Sequence, residues 1–530
     1  MKNIKIINMK KIFIILCFIT GIYNAFANDG WLNILNEGGN NKGIKCTEAI
    51  QNAIEKASKN GGGTIFFPAG EYLTGPIKFK SNITIYLDAG SVLKFSQNFD
   101  DYLPYVEMRY EGIMMKTFSP LFYGKDLENI SIKGRGIIDG QGEAWWNEVY
   151  RIERAKEPLP QTKYQTMWLE QNKGIVYEPY YKRTIDKNFF RPSFFQVLNC
   201  KNILIEGVTF KNSPFWTINP EFCENINITG ITINNPHSPN TDGINPSSCK
   251  NVRISNCHIS VGDDCITIKS GRDADGRKYG VATENVTITN CTMLSGHGGV
   301  VIGSEMSGGI KKVTISNCVF DGTDRGIRIK AARGRGGVVE DIRVDNIVMK
   351  NIKKEAIIMD LFYDKDNPEE PVTERTPVFR NIHISDVTGG NVNTAGYVRG
   401  IVEMPIQNIT FSNINMDGKD GFTVDTASDV EFHDVKVNAT LGSSFKISNS
   451  KNLILDNVGS STPLKGVPVI KIDNALNIMI NNNFPFNATD IFIEANGKDT
   501  KKIFVKNNVF NNVTTIVKKG KDLDKKAITE

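Results

Sequence analysis

The sequence predicts an all-β fold, a parallel β-helix capped at its start by a short helix. Three observations carry that expectation: a short phrase that recurs along the chain, β-branched stretches of period two broken by Gly, Asn and Asp, and an amphipathic segment ahead of them. The phrase is a polar residue, usually Asn or Asp, then an aliphatic, then alternating positions. It begins at Asn202-Ile203, Asn225-Ile226, Asn251-Val252, Asn285-Val286, Lys312-Val313 and Asp341-Ile342 and continues to Asn477-Ile478, with earlier copies at Asn82-Ile83 and Asn129-Ile130. Most spacings are 21 to 29 residues. One such unit cannot bury its apolar side alone, so stacked coils share an interior and neighbouring strands lie about 4.8 Å apart. A solenoid grows without closing a core, so 530 residues are read as one long domain, residues 28–530, where length alone would predict three.

Taken in order, the first 27 residues read as a secretory signal: Lys2, Lys5, Lys10 and Lys11, an apolar run from Ile12 to Tyr23, and Ala25-Phe26-Ala27 as the cleavage pattern. The run is too short to anchor in a bilayer, and the mature chain is expected outside the cytoplasm, periplasmic or extracellular. The formal charge of +5 falls to about +1 without those four lysines, so net charge selects no partner class and nucleic acid is not expected. Thr47 to Ser58 has apolar residues at helical spacing and reads as the cap. A segment from about 142 to 190 interrupts the repeat and carries Trp145, Trp146, Tyr150, Tyr164, Trp168, Tyr177, Tyr180 and Tyr181, as a sugar-stacking wall or as loop packing. Cys200, Cys257, Cys291 and Cys318 fall at matching places and predict an inward stack; zinc spacing is absent.

Aligning three coils by Asn256-Cys257, Asn290-Cys291 and Asn317-Cys318 exposes the chemistry. Asp263, His297 and Asp324 then share one column, and Cys265, Gly299 and Gly326 another, followed by the triplets Ile266-Thr267-Ile268, Val300-Val301-Ile302 and Ile327-Arg328-Ile329. The preceding coil sets Asp242 beside Asp264, and alternation turns Arg328 and Lys330 outward on the same face. Three acids, an imidazole and two cations fall within four layers, about 14 Å. Like-charge repulsion should raise at least one carboxyl pKa and leave a protonated acid beside an ionised base, the division of labour that glycoside hydrolysis requires. Arg328 and Lys330 suit an anionic sugar. Taken singly, each motif has an ordinary reading: Asn240-Thr241-Asp242-Gly243 is good turn chemistry, Asp263-Asp264 could cap a turn, and Arg328 and Lys330 could be a solvated strand face. Asp324, after Gly322-Thr323, is read as a turn residue, and His258 and His383 as structural; only the coincidence in register favours a site.

Asn240 to Gly243 (NTDG), Gly262 to Asp264 (GDD), Gly296 to Gly298 (GHG) and Arg328 to Lys330 (RIK), in this order, resemble the four signature motifs of the polygalacturonases, glycoside hydrolase family 28. The likeness runs from near Thr47 through Tyr363. It implies a right-handed parallel β-helix and metal-free hydrolysis with inversion, with no cofactor. It further implies Asp263 as general acid, Asp242 and Asp264 positioning and activating water, His297 supporting the acid, and Asn240, Arg328, Lys330 and Tyr363 binding galacturonate. The stretch Ser295 to Gly309 and Asn212 to Trp216 resemble the exo-acting bacterial branch. The expected partner is a pectic polysaccharide, homogalacturonan first and a decorated pectin such as rhamnogalacturonan second. Two other classes compete: a calcium-dependent pectate lyase, whose cation the three aspartates would hold, and a non-catalytic glycan-binding β-helix.

Overall fold

The computed structural model describes residues 30–156, 159–175, 189–363 and 368–529; the leader expected over residues 1–27 and the tyrosines at 177, 180 and 181 lie outside them. Among the described residues no helix is long and apolar enough to cross a membrane. The strands stack as parallel ladders in a right-handed β-helix, as expected. One ladder carries the repeated phrase, through Glu128–Gly134, Lys201–Glu206, Glu224–Thr229, Lys250–Ser255 and Thr283–Thr289. Its register sets Ile203, Ile226, Val252, Val286 and Val313 in one inward file, all buried. Each such aliphatic contributes about 2 kcal/mol by leaving water.

The polar residue that opens each phrase has a backbone reason. Asn202, Asn225, Asn251 and Asn285 all sit near φ +57 to +59, the left-handed bend between strands that Asn tolerates best after Gly. Their amides also bond along the stack: Asn225 Nδ2 donates to Asn202 Oδ1 at 3.1 Å, and Asn251 to Asn225 and Asn285 to Asn251 at 3.0 Å. The repeat is thus a corner, written once per coil.

A second ladder builds the face that matters. It runs through Phe122–Lys125 and Phe195–Leu198, narrows to single bridges at Ile218 and Ile244, and widens again as Asp264–Ile268, Gly298–Gly303, Ile327–Lys330 and Glu355–Asp360. Beyond it Val378–Arg399, Ile406–Asp425 and Ala427–Ser448 are long bent strands that each turn through most of a coil.

The helix Thr47–Lys59 closes the first coil by burying Ile50, Ala53, Ile54 and Ala57, the predicted cap. The interrupting segment forms the helices Glu143–Glu153 and Lys163–Gln171. Trp145 and Trp168 are buried there against Phe99, Phe118 and Phe190, so their part is packing and not a sugar wall. The cysteine stack also needs correction: Cys257, Cys291 and Cys318 share a file, but Cys200 belongs to another, with Cys223 and Cys249. The Asn-Cys pair recurs at two different corners of the coil, which spacing alone does not separate. All eight described cysteines are buried and unbridged.

An antiparallel hairpin, Val106–Tyr110 with Ile113–Thr117, lies outside the repeat. Arg109 pins it to the solenoid through Glu221 at 3.2 Å and Ser248 Oγ at 2.9 Å, all of it buried, while Tyr110 stacks on Phe215 at 4.6 Å. Its tip, Glu111-Gly112, takes positive φ and accepts the Arg272 amide at Gly112 O, reaching the face described next.

Candidate active site

Where the ladder narrows at Ile244, the backbone approaches its neighbour through Gly243, whose N–H donates to Asp264 O at 3.0 Å. A Cβ on Gly243 would meet Cys265 O at 2.3 Å, so glycine is required for that approach. The same register puts Asp242 opposite Asp264, and the next coil puts His297 opposite Asp263, with His297 N–H donating to Asp263 O at 2.8 Å. Carboxylate oxygens of Asp242, Asp263 and Asp264 lie within 4.8 Å of one another. The alignment made on the Asn-Cys pairs therefore holds through this face.

Each acid has distinct company. Asp264 is buried, with Lys330 Nζ donating to its Oδ2 at 2.7 Å and Arg328 Nη1 3.8 Å from its Oδ1. Burial alone would raise this carboxyl, but Lys330, Arg328 and Lys269 outweigh it and hold the group below its usual value. Asp242 is equally buried and is pushed well above the carboxylate range, first by burial and then by Asp263. Its Oδ2 accepts from Asn245 Nδ2 at 2.9 Å. Asp263 is more open and meets His297, Nδ1 to Oδ1 at 3.1 Å. That hydrogen bond raises the imidazole pKa against the opposing effect of burial. Of the trio, Asp242 is thus the member pushed toward the neutral form, while Asp264 stays ionised.

Arg328 and Lys330 emerge side by side from Ile327–Lys330, and Tyr363 lies beneath both, its ring 5.2 Å from the guanidinium and 4.9 Å from the ammonium. Asn240 bends at φ 52, and its Oδ1 accepts from Arg191 Nη2 at 2.8 Å, leaving the amide nitrogen to the cleft. All eight residues picked from sequence are brought to this face. Asp324, read as a turn residue, keeps the column beside His297, its N–H donating to Gly296 O at 2.8 Å, and its carboxylate pairs with Lys353 at 3.3 Å. His383 bonds Asn381 within its own coil, again structural.

Sequence reasoning missed part of the cleft, which Glu111, Trp216, Lys269, Ser304 and Glu305 also line. One signal was available for Lys269. The residue after each aligned triplet is Lys269, Gly303 and Lys330, and the observed pairing places them in one rank. Glu111 carried no signal, because its hairpin is not part of the repeat.

Three carboxylates inviting a divalent ion is the arrangement a lyase would use, yet here two oxygens are already bonded to Asn245 and Lys330, and Lys269, Lys330 and Arg328 supply positive charge from within the protein. An acid, an ionised base and cations for an anionic sugar are what remain, and the comparisons agree. Residues 180–440 match the profile of glycosyl hydrolases family 28, and residues 31–150 match one described as rhamnogalacturonase A/epimerase, pectate lyase-like. The chain is 34% identical to a probable polygalacturonase of Vitis vinifera, over 70% of either chain. It is 29% identical to an exo-poly-alpha-D-galacturonosidase of Dickeya chrysanthemi, over 80% of this chain and 74% of that one. The hyperthermoactive exopolygalacturonase of Thermotoga maritima superposes with a TM-score of 0.69 at 35% identity, covering 77% of this chain and 91% of its own. With the profile matched over the coils that carry the carboxylate trio and a relative 34% identical over 70% of either chain, the chain belongs to glycosyl hydrolases family 28.

Proposed function

We propose that this chain is an exported glycoside hydrolase that cleaves the α-1,4 galacturonosidic bonds of homogalacturonan from a chain end. The carrying observation is the trio Asp242, Asp263 and Asp264, packed within 4.8 Å and given unequal company by His297 on one side and Arg328 and Lys330 on the other. Asp263 acts as the acid: it is the most open of the three and stands on the side of His297, where the leaving oxygen can reach it. Asp264, kept ionised by its cations, deprotonates the attacking water, and Asp242 on the facing coil helps to position it. Arg328, Lys330 and Tyr363 grip a galacturonate carboxylate and ring on the leaving-group side, and Asn240 a sugar on the other.

The exo mode rests on the exo-acting relatives and on the hairpin Val106–Thr117, whose tip stands in the cleft and narrows it. Export rests on the leader pattern in the first 27 residues. Time-resolved products from polygalacturonate test the whole reading. Free galacturonate or a single short oligomer from the first minutes supports it, and an early ladder of oligomers overturns the exo part. Faster release from rhamnogalacturonan than from polygalacturonate moves the substrate to decorated pectin. Unsaturated, ultraviolet-absorbing products that vanish with chelator replace hydrolysis by elimination.

A further inference from the structure

Lys269 is buried below the cleft at the end of the strand that carries Asp264, and the roles so far described do not use it. Its Nζ lies 2.8 Å from Glu305 Oε2 and 3.6 Å from Asp242 Oδ2, with side-chain exposures of 4%, 5% and 4%. The Trp216 ring covers it at 4.3 Å. A lysine taken this far from water is tolerated only when its charge is matched, and Glu305 supplies the match. The closer partner therefore neutralises the ammonium, and the second partner is the site itself. A core spacer would not need a charge aimed at Asp242.

From the geometry we infer that Lys269, locked by Glu305 and Trp216, is a positioning residue that orients Asp242 through its Oδ2 and sets a fixed positive charge under the pair that faces the water. This rests on the hydrolase reading of the trio. Asn245 and Lys269 together engage one oxygen of Asp242, which turns the other toward the water. The charged groups facing Asp242 are Asp263 and Asp264 from the next coil, Lys269 from the end of the same strand, Glu305 from the coil after, and Lys330 from the one beyond. Of the cations, Lys269 acts on Asp242 most strongly, whereas Lys330 is bonded to Asp264. Burial favours the neutral form of Asp242, and Lys269 opposes it and also helps to hold Asp264 ionised, so its loss weakens the grip of both carboxyls on the water.

The full chain carrying Lys269→Met, Lys269→Arg or the pair Lys269→Met/Glu305→Gln tests this on galacturonate oligomers, with kcat, KM, the pH profile of kcat/KM, and Tm. The double variant guards against a fold lost to an unpaired Glu305. Lys269→Met and the double variant should lose about 100-fold or more in kcat with KM within about threefold, an effect of general acid–base size. The acidic limb of their profiles should move up by about one pH unit, since removing a cation near a carboxylate raises its pKa. Lys269→Arg should restore most of both. A rise in KM with kcat preserved would make Lys269 a ligand for the substrate carboxylate and overturn the inference. So would a lowered Tm with the acidic limb unmoved. A wild-type chain that does not hydrolyse galacturonan removes the underlying reading itself, and this inference with it, before any variant is compared.

Discussion

Lys330 Nζ donates to Asp264 Oδ2 at 2.7 Å across an intervening coil, Gly298–Gly303, that presents glycine at both ends of the crossing. A Cβ at Gly298 would stand 3.3 Å from Asp264 Oδ1, and at Gly303, where φ is +86, one would meet the Lys330 backbone carbonyl at 2.2 Å, so both glycines are needed for the close stacking of these coils. In the proposed reading Lys330 has two duties, holding Asp264 ionised and meeting substrate. Lys330→Met should lower kcat and raise KM together. Arg328, 3.8 Å from the same carboxyl, has the weaker hold on it, and Arg328→Lys should raise KM by about 10-fold or more with a smaller change in kcat, the usual worth of a charge-assisted hydrogen bond. Steady-state kinetics on oligogalacturonides of fixed length would separate the two.

The three carboxylates are not interchangeable, yet each is needed. In the proposed mechanism Asp263→Asn removes the proton donor, and Asp242→Asn or Asp264→Asn removes half of the water's support. Each should cost about 10³-fold in kcat with KM little changed. The double variant Asp242→Asn/Asp264→Asn should fall by far less than the product of the two, because the pair acts as a unit. Single-turnover rates on a reduced-end trimer would show it.

Stereochemistry is a sharper test, since two arguments oppose each other. Carboxylates about 5 Å apart usually serve as nucleophile and acid in retaining enzymes, and inverting pairs stand about 6.5–9.5 Å apart to admit water. The trio lies within 4.8 Å, but two of its members, Asp242 and Asp264, face each other from adjacent coils and can hold water between them. A nucleophile would need only one. The first-formed sugar from an α-linked substrate should therefore be the β anomer, seen by proton NMR before mutarotation; an initial α anomer would assign one aspartate as nucleophile.

The pH profile should carry a mark of His297. Its bond to Asp263 raises the imidazole pKa above 6.5, with the charges of Asp263, Asp264 and Asp324 adding to it. The protonated imidazole, which donates to Asp263, therefore persists to higher pH than in a free histidine. Activity should decline only at a pH above 6.5, as that proton is lost. In His297→Asn the decline should vanish and the plateau should sit lower, read from kcat against pH.

How much of this was legible in the sequence follows from what repeats. Asn202, Asn225 and Asn251 mark the same corner of successive coils, so a recurring phrase revealed the ladder, and the Asn-Cys pairs at 256, 290 and 317 then gave the facing of Asp242, Asp264, His297 and Arg328. The same logic misassigned Cys200, because an Asn-Cys pair serves two corners whose bends are chemically alike. It missed the hairpin that carries Glu111, whose place is set by one buried pair, Arg109 with Glu221, joined across 112 positions of sequence. Trp145 and Trp168 have the composition of a sugar platform and the burial of a core, and composition does not report burial.

That buried pair yields the last prediction. Arg109 and Glu221 are both fully buried at 3.2 Å, and removing one partner leaves the other uncompensated in the interior, at a cost of up to about 3–5 kcal/mol where that group stays charged. Arg109→Met should therefore lower Tm markedly, and Arg109→Met/Glu221→Leu should recover most of the loss. The wild-type chain carries a pH signature as well. Burial, opposed by Arg109, pushes Glu221 up to about 7, above the value of about 4.3 expected in an unfolded chain. Between those values the folded state binds more protons than the unfolded one, so stability falls as pH rises through the window. The contribution is complete below the unfolded value and gone above about 7. Glu221→Gln cannot titrate, and the difference in Tm between it and wild type should change between pH 4 and pH 8 in the direction that favours wild type at the acid end. Calorimetry across that range would read the change directly, and a constant difference would mean that Arg109 keeps Glu221 ionised throughout.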